Sequence, residues 1–175
     1  MDRLNTFFRR FFATGAGVSM ALVFMIIFVN SLRRYTLGKS VEWGEELPIY
    51  IAIYGVMFGF ALAYIQDRHI RFTILTDFLS KRRRDILFCG VDLVMIAVGA
   101  ALAWSGYAFA TRRAAVDSSG LIGTAKRLVE STGIEGMIWI GRVSTYQFAI
   151  AVGGVFLMIA AFLKFMERRA ALKVS

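Results

Sequence analysis

The sequence predicts an all-α integral membrane protein: four transmembrane helices, short interfacial amphipathic helices, and N- and C-termini in the cytoplasm. Three observations carry that reading. Apolar residues fill 58% of the 175 positions and the mean hydropathy is +0.62, whereas a soluble domain of this size needs more polar surface. Four apolar runs each approach the ~20 residues that cross a hydrocarbon core. The lysines and arginines fall in short clusters between those runs.

The runs are Ala13–Leu32, Leu47–Ile65, Ile86–Ala110 and Val143–Leu163. Only the third contains a charged residue, Asp92. Pro48, the sole proline, falls in the first turn of the second run, where its missing N–H does no harm. The connections are short, with no low-complexity stretch, so residues 1–175 form a single membrane domain. Three connecting segments repeat apolar residues at helical spacing and read as helices lying on the membrane. They cover about residues 3–12 (Leu4, Phe7, Phe8, Phe11, Phe12), 70–80 (Ile70, Ile74, Leu75, Phe78, Leu79) and 120–132 (Leu121, Ile122, Ala125, Leu128, Val129).

Orientation follows from the basic residues. Thirteen lysines and arginines lie in the N-terminal segment, the second connection and the tail, against eight in the first and third connections. That bias places both termini in the cytoplasm, with Trp43, Trp104 and Trp139 near the outer interface. The net charge of +9 is therefore read as topology and contact with membrane lipids, with Lys81, Arg82, Arg83 and Arg84 as the leading headgroup contacts. Nucleic-acid binding is excluded, because it needs basic residues gathered on one exposed face.

The chain lacks chemical machinery. One cysteine, Cys89, rules out an internal disulfide or a thiol-exchange pair, and one histidine, His69, cannot supply paired haem ligands. There is no glycine loop with its lysine to cradle phosphate. No catalytic, substrate-binding or metal-ligating set is present and no cofactor is implied, so the chain is read as a non-enzymatic partner subunit. Asp92 is the exception, about 10 Å inside the inner end of its span at ~1.5 Å per residue. It is placed to meet His69 or Arg68, either as a buried pair that fixes helix packing or as a proton relay.

The second span carries the candidate partner interface. Gly55, Gly59 and Ala63 lie four apart on one helix face and leave room for a neighbouring backbone, within this subunit or on another. Glu45 and Glu46 at its outer end suit the helix dipole, and are also placed to pair with Arg33 and Arg34 or to contact a partner protein. His69 marks the inner end as a cap or anchor.

These residues resemble the small membrane subunit, DctQ type, of a TRAP transporter (tripartite ATP-independent periplasmic). The likeness covers nearly the whole chain. It rests on Trp43-Gly44-Glu45-Glu46 opening the second helix, the small residues around Gly59 and Ala61, and the exit Arg68-His69-Ile70-Arg71. It implies a multi-pass protein of a bacterial or archaeal inner membrane. It also implies a partner, the large permease subunit, which carries the substrate with sodium, and a periplasmic substrate-binding protein that delivers an organic acid or similar carboxylate. The small subunit would support the static scaffold. The competing class is a stand-alone homo-oligomeric channel or transporter using Asp92.

Overall fold

The computed structural model describes residues 2–67 and 79–174; within these, the side chains of residues 2, 81, 173 and 174 are not described. His69, Arg68 and nearly all of the segment 70–80 thus lie outside the described residues. Among the described residues five α-helices follow one another: α1 (Asp2–Leu37), α2 (Leu47–Ile65), α3 (Lys81–Arg112), α4 (Ile122–Thr132) and α5 (Val143–Val174). Short 3₁₀ turns at Glu42–Gly44 and Glu135–Gly141 precede α2 and α5. No strand occurs among the described residues, and α1, α2, α3 and α5 are each long and apolar enough to cross a membrane. The all-α membrane architecture expected from the sequence is what the chain adopts.

The long helices outrun their apolar runs. The basic segment 3–12 is no separate surface helix: it continues without a break into the first span, because nothing between Arg10 and Val18 interrupts helical geometry. At ~1.5 Å per residue, 36 residues make a rod of about 54 Å against a hydrocarbon thickness of about 30 Å. Gly38, at φ 66°, ends it in the left-handed conformation that closes helices without steric cost. Likewise α3 begins five residues before its apolar run, and α5 continues eleven residues beyond Leu163. The outer helix α4 closes on Gly133, at φ 71°, whose N–H reaches Val129 O at 2.8 Å.

The spans pack in a row rather than a square bundle: α1 on α2, α2 on α5, and α5 on α3. Burial follows that order. In its most apolar stretch α5 is 39% buried and α2 28%, whereas α1 and α3, at the two edges, are 11% each. The seam between α3 and α5 is the closest. A Cβ on Gly106 would meet the backbone of Ile150 and Ala151, one on Gly99 the backbone at Gly154 and Met158, and one on Gly154 the backbone of Gly99 and Ala103. Gly99, Ala103 and Gly106 thus face Ala151, Gly154 and Met158 at alternating three- and four-residue spacing, which lets two backbones approach in lipid. Toward the inner end, Phe12, Tyr64, Ile65 and Leu157 form the core with Ala61, Ala160 and Ala161. The rings of Phe11, Phe12, Phe58 and Phe156 meet edge-on or tilted beside it, with centroids 4.7–5.8 Å apart.

This seam sets a test. Gly154→Ala should lower the melting temperature of the purified chain, since overpacking of about 1–3 kcal/mol exceeds the ~0.5–1 kcal/mol gained by replacing a helical glycine. Gly90→Ala, where an added Cβ meets nothing within 4 Å, should leave it equal or higher. Equal behaviour of the two variants in thermal unfolding would contradict the seam.

Candidate functional site

At the end where α1 begins and α5 finishes, expected from the basic residues to be the inner one, one polar network joins all four spanning helices. Asp92 projects from α3 and is fully buried. Its partners come from two other helices. Tyr64, near the end of α2, donates its hydroxyl to Oδ1 at 2.7 Å. Arg168 of α5 donates Nη1 to Oδ1 at 2.8 Å and to Oδ2 at 2.7 Å. The same nitrogen lies 3.2 Å from the Phe88 carbonyl, and the guanidinium stands 4.9 Å over the Phe88 ring. A carboxylate withdrawn from water is tolerable only when its charge and lone pairs are matched this fully.

The network then runs outward. Arg168 Nη2 donates to Asp67 Oδ1 at 2.6 Å, and Lys164 Nζ bonds Asp67 Oδ2 at 2.6 Å and Glu167 Oε2 at 3.0 Å. Asn5 of α1 donates to the same Glu167 oxygen at 3.2 Å. Lys164 and Arg168 are almost enclosed, with side chains 6% and 12% exposed, while Asp67 and Glu167 face outward at 36% and 52%. Asp67 adopts φ 57° just past α2. That left-handed conformation costs an L-residue roughly 1–2 kcal/mol, and two ion pairs hold it there.

Among the described residues the cation on Asp92 is Arg168, with Tyr64 beside it; the expected partners His69 and Arg68 lie outside the described residues. Sequence reasoning counted Lys164 and Arg168 only as tail charges. The signal was the spacing Lys164-x-x-Glu167-Arg168 directly after an apolar run, which sets all three on one face if the helix continues.

At the outer end, Glu46 has a specific task. Its Oε1 accepts the Tyr50 hydroxyl at 2.6 Å, and its Oε2 accepts the Gly120 N–H at 2.6 Å. Glu46 so fastens the outer segment to α2, and Gly120 is confined because a Cβ there would strike that carboxylate. The Tyr50 and Tyr146 rings stack 4.1 Å apart across α2 and α5, and the Tyr146 hydroxyl donates to Ile140 O at 2.7 Å. Neither Glu45 nor Glu46 pairs with Arg33 or Arg34, which are exposed; the ion pair across this side is Glu42 with Arg127 at 3.2 Å. Both partners are well exposed, so it adds little stability. Glu45 is exposed.

The small residues on α2 divide. Gly55 is buried against Ser19 and Met20 of α1, whereas a Cβ on Gly59 would meet nothing within 4 Å. Ala63 is half-buried. Arg82 and Arg83 are exposed at the start of α3 and Arg84 is half-buried. Among the described residues no group of three His, Cys, Asp or Glu is placed to hold a metal ion.

Breaking the inner network on one side should be costly. Arg168→Leu should destabilise the chain by about 3–5 kcal/mol, because it leaves the buried Asp92 carboxylate without its cation, and Asp92→Leu should cost less, because Arg168 keeps Asp67 as a counterion. The double replacement Asp92→Leu with Arg168→Leu should recover much of that loss. A double-mutant cycle by thermal unfolding in detergent measures it; additive losses would show that the two groups do not act as a pair.

Residues 23–171 match the family described as tripartite ATP-independent periplasmic transporters, DctQ component. A Haemophilus influenzae protein carrying the name of a TRAP transporter small permease protein is 27% identical over 77 residues, 44% of this chain and 48% of that relative. The aligned part thus spans about half the length of that curated relative. The family match takes in α2 to α4 whole, the second half of the α1 span and most of α5, including Asp92, Tyr64, Lys164 and Arg168. The chain belongs to the DctQ component family of the tripartite ATP-independent periplasmic transporters.

Proposed function

We propose that this chain is the small membrane subunit of a TRAP-type secondary transporter, steadying the static scaffold of a large permease subunit. The large subunit carries an organic acid or similar carboxylate with sodium across a bacterial or archaeal inner membrane, after a periplasmic protein delivers it. The observation that carries this reading is the state of Asp92. The one carboxylate within the apolar runs is enclosed and held by Arg168 and Tyr64. A transporter needs an intramembrane polar group that its substrate or ion can reach. The same geometry weighs against the second reading, a stand-alone homo-oligomer working through Asp92.

The contact with the large subunit is assigned to the face of α2 that holds Gly59. Ile49, Val56 and Phe60 are exposed on or beside it, and Ala63 continues it inward. Gly55 is turned away, toward α1. Glu45 at the outer end and His69 at the inner end complete this proposed contact, with Glu46 acting on it through the outer segment. Lys81, Arg82, Arg83 and Arg84 rest among lipid headgroups.

Two experiments test these assignments. Gly59→Leu should leave the melting temperature of the isolated chain unchanged yet weaken co-purification of the large subunit by an amount typical of overpacking, about 1–3 kcal/mol. Gly55→Leu should destabilise the chain itself. Capture of the large subunit unchanged by Gly59→Leu, with an intact fold, overturns the interface. In transport assays Asp92→Asn should reduce the amount of assembled transporter while preserving sodium dependence. Normal assembly with lost sodium dependence would overturn the accessory role.

A further inference from the structure

Arg3, Arg9 and Arg10 have no part in the inner network. Asn5, Phe8 and Phe12 occupy the side of α1 that faces α2 and α5; Arg3 and Arg10 project from the opposite side and Arg9 from the flank between them. All three are exposed, and none pairs with a carboxylate among the described residues. Arg3 stands in the first turn of a 36-residue helix, where the dipole adds to its charge instead of offsetting it. Such a cluster calls for an anion from outside the chain.

The surface there is concave. Thr6, Arg9, Arg10 and Ala13 of α1, with Gln66 at the end of α2, line a groove of about 280 Å³. That is several times the ~30 Å³ occupied by one water. A second groove of about 360 Å³, lined by Arg3, Thr6, Phe7 and Arg10, adjoins it. Thr6 and Arg10 are common to both, so two guanidiniums, a hydroxyl and the Gln66 amide converge on one opening. Directly past Ala13 the helix becomes charge-free, and at Gly17, where a Cβ would meet nothing within 4 Å, its surface is open. The exposed Phe7 ring lines the second groove beside Arg3 and Arg10.

We infer that this groove is a binding site for one anionic phospholipid, with its phosphodiester on Arg9 and Arg10 and an acyl chain laid over Ala13 and Gly17. Planar guanidiniums grip phosphate oxygens through paired N–H bonds. The apolar track leading from the opening selects a lipid over a free phosphate. A lipid held there anchors the edge helix α1 at a fixed depth.

Native mass spectrometry of the full-length chain, released from detergent micelles supplemented with dioleoyl phosphatidylglycerol or dioleoyl phosphatidylcholine, tests the site. The wild type should retain phosphatidylglycerol selectively. Arg9→Gln with Arg10→Gln should weaken that retention about 30-fold, given a factor of about five for each basic residue at a lipid surface. Ala13→Phe, which keeps every arginine but fills the groove, should also release the lipid, whereas Arg82→Gln with Arg83→Gln should retain it. Circular dichroism of each variant checks that the helices persist. Equal retention by the Arg9/Arg10 variant, or equal loss in the Arg82/Arg83 variant, overturns the site, the latter by reducing it to general charge. Displacement by inorganic phosphate alone overturns the lipid assignment.

Discussion

The burial of one carboxylate governs the inner half of this protein. Asp92 sits where water cannot reach it, and an unmatched charge in such a place costs several kcal/mol even after relaxation. Three consequences follow. Helix α5 must run far enough beyond its apolar run to bring Arg168 back to α3. Helix α2 must end with Tyr64 turned toward the same point. Asp67 must take a left-handed backbone to receive the second guanidinium nitrogen and the Lys164 ammonium. Each requirement fixes the register of one helix against another. In a solvent of acyl chains, where apolar faces have no preference for each other over lipid, such polar contacts specify position while close packing supplies attraction.

The outer half uses different means toward the same end. Glu46 holds Gly120, the stacked Tyr50 and Tyr146 rings join α2 to α5, and Tyr54 donates to the Thr145 carbonyl at 2.9 Å. Between the two ends, α3 and α5 approach through Gly99, Gly106 and Gly154. The middle of the row is thus pinned at both membrane faces and closely packed between them. The edges are pinned far less: among the described residues α1 joins the network through Asn5 alone, and apart from the α3–α5 seam most of α3 is exposed.

The four spans were legible because about 20 apolar residues leave few alternatives in a chain this hydrophobic, and the bounds of α2 follow from Pro48 at one end and the polar residues after Ile65 at the other. What a single sequence hides is partnership. Asp92 was visible as a polar residue in a span, but Arg168 lies 76 positions away, and nothing local says which of many basic residues returns to it. The lengths of α1 and α5 were underread for a related reason. Hydropathy falls where charge begins, whereas helix geometry continues across that boundary whenever no proline or glycine stops it. Gly55, Gly59 and Ala63 share a face by spacing, yet Gly55 packs on α1 and Gly59 does not, because a helix in a row has neighbours on some sides only. The same kind of spacing at Gly99, Ala103 and Gly106 marked the closest seam in the molecule.

A row of helices suits the proposed supporting role on physical grounds. A closed four-helix bundle buries most of its apolar face against itself and offers a partner only a narrow strip. A row exposes both sides of its inner helices and nearly the whole of its edges, which gives a second membrane protein a broad surface on which to pack. Breadth alone would leave the row free to flex. The Asp92–Arg168 pair and its neighbours tie α2, α3 and α5 at the inner end, and the Glu46 and tyrosine contacts tie α2 and α5 at the outer end. The energy committed to polar contacts here thus serves rigidity, which the proposed role as a static scaffold requires.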